Sequence, residues 1–242
     1  MLSKTNGIVL HHINYTESSV IAKIYTEQHG LQSYLIRGMR SSKSKTKISL
    51  LQHLSLVEVV AYHKKNSHGI KNIKEIKSNY IFQTLPYDIR KSTISLFINE
   101  IIYKSIQEEE ANPALFNFLY HTIQILDIAT ENINDFHLMF MIQFTKYLGF
   151  FPQNNYSESN NIFNIQEGTF QTTRPLHNDY ILSPLSYFIH MLMNTSFENI
   201  ADTKLTRTQR RELLEKLIIY FRLHLTSLTK INSHLILQEV LD

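Results

Sequence analysis

Apolar and polar positions alternate with a period of two through the first 80 residues, and this pattern predicts β-strands. Two runs of β-branched and aromatic residues, 20–25 and 31–36, flank Gln28-His29-Gly30, which is typical of a hairpin turn. Three more strands are predicted, at 7–10 with a turn near Asn14, at 54–62 and at 70–80. Five short strands with no helix between them favour a small closed barrel such as the OB-fold, although an SH3-like barrel or a small sandwich would give the same pattern.

From about residue 88 the apolar positions recur every three or four residues, which predicts helices. The first helix carries one apolar stripe, formed by Ile94, Phe97, Ile98, Ile101, Ile102 and Ile106. Local signals then indicate five more helices. Asn112-Pro113 opens a helix at 114–129, and Asn134 or Asp135 caps the next one at 136–148, which Gly149 ends. Ser183-Pro184 opens a fourth helix, Thr206 and Gln209 cap a long one at 206–225, and the last is predicted at 230–241.

Between the third and fourth predicted helices, residues 150–180 show no periodicity and are rich in Asn, Ser, Gln and Pro. We expect an irregular excursion there. The pattern as a whole predicts an α+β fold, in which a five-stranded OB-fold barrel occupies residues 1–80. An all-helical domain follows over residues 81–242 and contains the excursion.

Charge is distributed unevenly between the two predicted domains. Residues 1–80 carry 12 Lys and Arg against 4 Asp and Glu, whereas residues 81–242 carry 12 against 17, so that +8 and −5 leave a net charge of +3. This asymmetry favours a basic module that binds polyanions, joined to a body with another task. The chain has no run of about 20 apolar residues and no signal-peptide core after its start. We therefore expect a cytoplasmic protein without a membrane span.

The chain lacks the residue patterns of common active sites and metal sites. The absence of cysteine excludes thiolate zinc sites, disulfides and cysteine nucleophiles. Phosphate-binding glycine loops, the Gly-x-Ser-x-Gly elbow and the His-Glu-x-x-His pair are absent too. Adjacent His11 and His12 would point to opposite faces of a strand, and His63 and His68 flank a turn where we expect solvated side chains. We expect no enzyme, no metal and no cofactor.

The segment that follows the third predicted strand has the densest positive charge, with five cations and no acid in eleven residues. The five are Arg37, Arg40, Lys43, Lys45 and Lys47. Apolar runs at 31–36 and 48–54 flank the segment, so we expect an exposed barrel loop whose cations can each reach a different phosphate, with a disordered basic linker as the alternative. Tyr15, Tyr25 and Tyr34 lie on or beside neighbouring strands and are candidates for base stacking, with burial in the barrel core as the alternative.

The N-terminal residues, taken in order, resemble a known family. Gly7-Ile8-Val9-Leu10, Glu17-Ser18-Ser19 and Tyr25-Thr26 lead through Gly30 to Arg37-Gly38-x-Arg40-x-x-Lys43-Ser44-Lys45. This order and spacing are similar to the N-terminal domain of the RecO family of bacterial recombination mediators. Later segments extend the resemblance over nearly the whole chain, at 96–100, 147–150, 163–170 and 231–233.

The resemblance implies an OB-fold followed by a helical domain, and a role in DNA repair that is not enzymatic. Proteins of this family bind single- and double-stranded DNA, anneal complementary strands, and work with RecR to load recombinase onto strands coated by single-strand-binding protein. The expected location is the cytoplasm, in association with the nucleoid. Many relatives carry a four-cysteine zinc module after the segment that matches 147–150. Here packing must replace it, with Tyr156, Phe163, Ile165, Phe170 and Tyr180 as the candidate core.

The last long predicted helix is the candidate partner surface, because residues 204–222 carry six cations against two acids beside an apolar stripe. The residues chosen to receive the acidic C-terminal tail of single-strand-binding protein are Arg210, Arg211, Lys216 and Arg222. Arg222 is the first choice for the tail carboxylate, because resembling sequences have a basic residue shortly before the 231–233 segment and Arg binds carboxylates with two hydrogen bonds. A solvated basic face is the alternative.

Two other functions stay open on the sequence alone. One is a different OB-fold module that binds structured RNA and uses the helical body as a partner platform, because phosphate contacts carry no information on the identity of the nucleic acid. The other is an enzyme whose active site assembles from scattered residues.

Overall fold

The computed structural model of the chain describes residues 2–38, 48–63, 69–130, 133–197, 199, 205–228 and 230–241. Five strands close into a barrel, as the period-two pattern predicts, in the order β1-β2-β3-β5-β4. They are β1 (Leu2–Asn14), β2 (Val20–Thr26), β3 (Gly30–Ile36), β4 (Leu56–Tyr62) and β5 (Lys71–Ser78). Neighbouring strands are antiparallel except β3 and β5, which run parallel. This is the five-stranded barrel of an OB-fold.

Strand β1 is longer than the predicted strand at 7–10, because it pairs with two partners in succession. Its residues 2–8 pair with β4 and its residues 7–14 pair with β2, with an irregular register between Val9 and His11. A bulge of this kind bends a strand and lets it pass from one partner to the next. The polar run Ser3-Lys4-Thr5-Asn6 concealed the first half of the strand from the apolar pattern.

Branched side chains at every second position of β2 and β4 face into the barrel, as strand geometry requires. The buried cluster consists of Val9, Val20, Ala22, Ile24, Tyr34, Ile36, Leu51, Val57, Val59, Ala61 and Ile76. Leu51 joins the cluster from a short 3-10 turn, Ile48–Leu51, which precedes β4. Tyr34 brings an aromatic ring into the centre of the barrel, where it is inaccessible to solvent.

Within the described part of the chain, six helices follow the barrel and confirm the α+β class. They are α1 (Ile89–Ser105), α2 (Pro113–Ile128), α3 (Phe136–Leu148), α4 (Leu185–Asn194), α5 (Arg207–His224) and α6 (Ser233–Leu241). Three predicted helix-end signals are confirmed. Asn112 caps α2 through its side-chain oxygen, and Thr206 and Gln209 form a reciprocal capping box at the start of α5. Gly149 ends α3 with a φ of +86°. Asp135 occupies the N-cap position of α3 but makes no capping hydrogen bond.

The chain forms two compact units that are interleaved in sequence, Met1–Thr84 with Ile106–Asp127, and Leu85–Ser105 with Ile128–Asp242. In the first unit α2 packs on the barrel, and the rings of Phe116 and Tyr25 lie 6.2 Å apart. The main-chain N–H of Leu31 also donates to the Glu108 carbonyl at 3.2 Å. These contacts group residues 106–127 with the barrel, while the predicted division into domains at residue 80 stays a prediction.

The excursion contains a small sheet, so the prediction of irregular structure was wrong for that part of the chain. Its strands β6 (Ile162–Asn164), β7 (Thr169–Gln171) and β8 (Tyr180–Ile181) lie in the order β7-β6-β8. Strands of two or three residues are too short to show a period in the sequence. Phe163, Ile165 and Phe170 are buried here, and the rings of Phe163 and Phe170 lie 5.0 Å apart. Tyr156 and Tyr180 are half-buried beside them.

Candidate nucleic-acid interface

The basic segment leaves the barrel at the end of β3. Ile36 is buried in the barrel core, whereas Arg37 is exposed and is the first cation of the segment. Gly38 follows with a φ of +75°, a left-handed conformation that glycine adopts readily. The other four predicted contacts, Arg40, Lys43, Lys45 and Lys47, lie outside the described residues. The chain is described again from Ile48, within the 3-10 turn that ends in the barrel core.

One of the three tyrosines proposed for base stacking stands at the surface. Tyr15 is 60% exposed and follows the end of β1. Tyr25 and Tyr34 are 1% and 0% exposed, so the stacking hypothesis was wrong for both of them. Tyr25 packs against Phe116 of α2, and Tyr34 belongs to the barrel core. A ring enclosed in this way cannot offer a face to a base.

A second group of basic side chains lies on β1 and β2. His11 and Lys23 are partners in the register of these strands. Burial lowers the pKa of His11, and the neighbouring His12, His53 and Lys23 lower it further. In the same register the end of β1 pairs with the start of β2. The start of β2 pairs in turn with the end of β3, and Arg37 is the residue that comes directly after β3. Lys23 and Arg37 thus lie on or directly after neighbouring strands of this part of the barrel, and their positive charges attract a polyanion.

The four cations predicted to receive an acidic tail lie on α5 in different surroundings. Arg210 is the most enclosed, because its Nε donates to Oδ1 of Asp135 at 2.6 Å and the two side chains are only 13% and 5% exposed. Its Nη2 also donates to the Leu205 carbonyl at 3.3 Å. Arg210 therefore has an ion-pair partner within its own unit and links α5 to the start of α3.

Arg211 is exposed and lines a narrow cavity formed by α3, α5 and α6. Further lining comes from Arg207, Arg210, Leu214, Leu237 and Leu241. His137 and Gln238 also line it, and neither the ring nitrogens of His137 nor Nε2 of Gln238 have a hydrogen-bond partner among the described residues. Burial, and then the charge of Arg210, lowers the pKa of His137 to about 3. The cavity thus combines a cationic rim, an apolar wall and a neutral imidazole.

Lys216 and Arg222 lie apart from this cavity. Lys216 lines a groove of about 400 Å³ beside β8, together with Tyr180, Leu182 and Pro184. Arg222 is exposed in the last turn of α5 and lines neither the cavity nor the groove. The structure therefore brings Arg210 and Arg211 together and separates them from the other two predicted residues.

Sequence reasoning did not find two of the polar residues around α5. Asp135 was considered only as a helix cap, and His137 was not singled out. Asp135 and Arg210 are 75 positions apart, so no local spacing connects them. A signal does exist for His137, because it interrupts the otherwise apolar run 136–142 at the start of α3.

In the ranges that the structure describes, no group of three or more His, Asp or Glu side chains is placed to hold a metal ion. No helix in those ranges has both the length and the apolar character needed to cross a membrane.

The fold is a five-stranded OB-fold barrel joined to a helical unit. Residues 1–80 carry a net charge of +8, which is typical of OB-fold proteins that bind nucleic acid. Comparison with known proteins then gives the family. Residues 1–82 match the family model described as Recombination protein O N terminal, and residues 86–231 match Recombination protein O C terminal. The chain belongs to the RecO family, as the resemblance indicated.

Curated relatives extend this match over the full chain. The chain is 37% identical over 240 residues to the DNA repair protein RecO of Phocaeicola vulgatus, and the match covers 99% of each chain. It is 36% identical over 243 residues to that of Bacteroides fragilis strain YCH46, with 100% of each chain covered. It is 38% identical over 242 residues to that of Flavobacterium psychrophilum, with 99% of each covered. Membership in a family of bacterial DNA repair proteins supports a role in DNA repair.

Proposed function

We propose that this protein is a recombination mediator without enzymatic activity. It binds single- and double-stranded DNA, anneals complementary strands and, together with RecR, helps load recombinase onto strands coated by single-strand-binding protein. Its place of action is the cytoplasm, in association with the nucleoid. The observation that carries the proposal is the basic segment that begins with the exposed Arg37 at the end of β3 of an OB-fold barrel.

Cations on the flank of a barrel suit annealing for an electrostatic reason. Two complementary strands repel one another through their phosphates, and each Lys or Arg that contacts a phosphate releases condensed counterions and lowers that repulsion. Phosphate contacts read no sequence, so the same surface accepts any pair of strands. Single- and double-stranded DNA both offer the phosphate chemistry that these cations bind.

The salt dependence of binding tests the DNA contacts. The slope of log K against log salt concentration reports the number of phosphate contacts. If Arg37, Arg40, Lys43, Lys45 and Lys47 each contact one single-strand phosphate, their replacement by Ala should make this slope less steep by about 3.5, at about 0.7 per contact. A matched control is Lys4→Ala with Lys77→Ala, because both ammonium groups already pair with Glu58, at 2.6 and 2.9 Å. The control should keep the wild-type slope. A five-residue variant that folds and keeps that slope would contradict the proposal.

We also propose that α5 receives the acidic C-terminal tail of single-strand-binding protein through Arg210, Arg211, Lys216 and Arg222. Such a tail ends in an apolar residue with a free carboxylate, so its receiver needs an apolar wall beside a cation. Arg211 offers the cation, because it is exposed at the rim of the narrow cavity that the buried Leu214 and Leu237 line. Arg222, the first choice for the carboxylate from the sequence, is exposed as well and remains a candidate beside Arg211.

Fluorescence anisotropy with a labelled tail peptide separates these candidates. Arg211→Glu or Arg222→Glu should weaken tail binding by about 2–5 kcal/mol if the arginine forms a desolvated pair with the carboxylate. Binding of naked DNA should not change in either variant. Equal tail affinity in the wild type and in both variants would exclude these two arginines as contacts.

An OB-fold module for structured RNA is the alternative function, because the same cations would bind RNA phosphates. Competition between single-stranded DNA and RNA of one sequence distinguishes the two. A mediator of DNA repair should bind the DNA at least as tightly as the RNA. A strong preference for RNA would favour the alternative.

A further inference from the structure

Two histidines that lie just outside the strands of the barrel stack on one another. The ring of His29, in the turn between β2 and β3, lies 3.8 Å from the ring of His63 just after β4, with an angle of 23° between the planes. Ser3 of β1 connects them, since its Oγ lies 2.6 Å from Nδ1 of His63 and 3.2 Å from Nε2 of His29. The expectation that His63 is a solvated turn residue was therefore wrong.

A chain of hydrogen bonds runs through this pair from the barrel core to the surface. The hydroxyl of Tyr34, inside the barrel, lies 3.0 Å from Nε2 of His63. The hydroxyl of Ser3 carries a single proton, so it can donate to only one ring and must accept an N–H from the other. The tautomers of the two rings are thus linked along the chain from Tyr34 through His63 and Ser3 to the half-buried His29.

The pair is neutral at pH 7 although a cation stands beside it. Burial lowers the pKa of His63 to about 4, with further lowering by His29 and Lys71. Burial, and then Lys71, also lowers the pKa of His29. The Lys71 ammonium donates to Oε1 of Gln32, and Gln32 in turn donates to the His29 carbonyl at 2.5 Å. One ammonium group and two unprotonated imidazoles therefore lie together at the surface of the barrel.

In the contacts that the structure describes around the pair, no carboxylate compensates the positive charge of Lys71. Lys4 of β1 is paired with Glu58 at 2.6 Å, and Glu27 of the turn accepts from Asn6 at 2.9 Å. The nearby Glu109 accepts the Gln32 side chain through its main-chain oxygen. An anion placed beside Lys71 would gain its attraction and would also favour the protonated form of a neighbouring imidazole.

We propose that His29, His63 and Lys71 form a proton-linked phosphate site, which holds one backbone phosphate of single-stranded DNA and takes up one proton from solvent on the histidine pair. The inference rests on the DNA binding proposed above and adds a contact outside the basic segment. A phosphate is the fitting ligand, because Lys71 supplies a fixed positive charge and a protonated His29 can donate from Nδ1, the ring nitrogen that Ser3 does not contact. The proton is not transferred to the DNA, and no covalent bond changes.

The experiment measures proton uptake when an oligothymidine binds to the full chain. Calorimetry at pH 6.5 in two buffers of different ionisation heat should show uptake of up to one proton. Affinity should rise by up to about tenfold per unit as the pH falls from 8 towards 6, because the complex binds one proton more than the free protein. The variant His29→Gln with His63→Gln should lose this dependence, so that its affinity is the same at pH 6 as at pH 8.

His121→Gln is the matched control, since His121 is an exposed imidazole of the same unit that contacts the Asn117 carbonyl at 2.8 Å. It should behave as the wild type. If the double variant fails to fold, NMR titration of the wild-type imidazoles replaces it, and the DNA should raise the pKa of His29 or His63.

Three results would overturn the inference. They are an unchanged pH dependence in the folded double variant, an absence of proton uptake by a wild type that binds DNA, and uptake with inorganic phosphate but not with the oligothymidine. Failure of the proposed function is distinguishable from all three, because the protein would then bind no DNA at any pH.

Discussion

Glu100 of α1 accepts a hydrogen bond from the main-chain N–H of Ser233 at 2.8 Å and so caps the first turn of α6. Its carboxylate also accepts from Asn232 at 3.1 Å and from the ammonium of Lys104 at 2.7 Å. The segments 96–100 and 231–233 both carry the resemblance to the RecO family. The contact between Glu100 and Ser233 joins these two segments in the structure.

Glu100→Gln should therefore destabilise the unit that contains α1 and α6. Burial alone would raise the pKa of Glu100, but the hydrogen bonds from Lys104, Ser233 and Asn232 lower it to about 2. The stability that this carboxylate adds is present above its ordinary pKa of about 4.5 and is lost as the pH falls towards 2. Loss of the charge at pH 7 should cost about 1–3 kcal/mol in urea denaturation. Glu215→Gln, on the exposed side of α5, should cost less than about 0.5 kcal/mol. Equal costs would contradict the role given to Glu100.

Gly30→Ala should be far more damaging than Gly38→Ala, although both glycines have left-handed φ angles, of +62° and +75°. A Cβ on Gly30 would lie 2.2 Å from the Glu110 carbonyl oxygen, whereas a Cβ on Gly38 would have no atom of the described residues within 4 Å. Gly38→Ala should cost about 1–2 kcal/mol for the conformation alone, and Gly30→Ala at least about 3 kcal/mol, because main chain has to move. Chemical denaturation of both variants measures the difference. Similar values would mean that the turn and the segment before α2 do not pack as described.

The barrel should lose stability as the pH falls from 6.5 towards 4. Folded His63 has a pKa of about 4, below the ordinary 6.5, so over this range the unfolded chain binds protons that the folded chain does not. The stabilisation of the folded barrel by neutral His63 is thus fully present above pH 6.5 and declines as the pH falls below it. Thermal melts followed by circular dichroism should show a shallower decline in His63→Gln. Parallel pH profiles for the wild type and the variant would disprove the enclosure of His63.

Arg210 and Arg211 are neighbours on α5 but should respond in opposite ways. Arg210→Ala leaves Asp135 buried without its ion pair and should cost about 3–5 kcal/mol of unfolding free energy. Arg211→Ala removes an exposed side chain and should change stability by less than about 0.5 kcal/mol, while weakening the binding of the tail peptide. Denaturation and anisotropy on the same two proteins check both effects. A large stability loss in Arg211→Ala would remove it as a candidate for the tail contact.

The sequence was most informative where a signal is local. The turn at Gln28-His29-Gly30, the capping box of Thr206 with Gln209, and the stop at Gly149 each depend on a few consecutive residues, and the structure has all three. The local density of cations singled out Arg37 in the same way; the structure shows that it is exposed, and its contact with DNA stays a prediction.

Features that depend on distant partners were missed. The first half of β1 is polar and is a strand because β4 pairs with it. The pair of Asp135 with Arg210 and the stack of His29 on His63 join side chains from separate elements, and no spacing in the sequence encodes them. The sequence left both base stacking and core burial open for Tyr34, and the barrel confirms burial because the side chain faces inward.

The most direct test of the account is annealing of complementary strands, naked and precoated with the cognate single-strand-binding protein. The wild type should accelerate annealing of both substrates. The variant with Ala at Arg37, Arg40, Lys43, Lys45 and Lys47 should lose most of the effect on both. Arg211→Glu should fail only on the coated strands. Undiminished annealing by the folded five-residue variant, or no annealing of either substrate by the wild type, would contradict the central claim that this protein mediates recombination through the basic flank of its barrel.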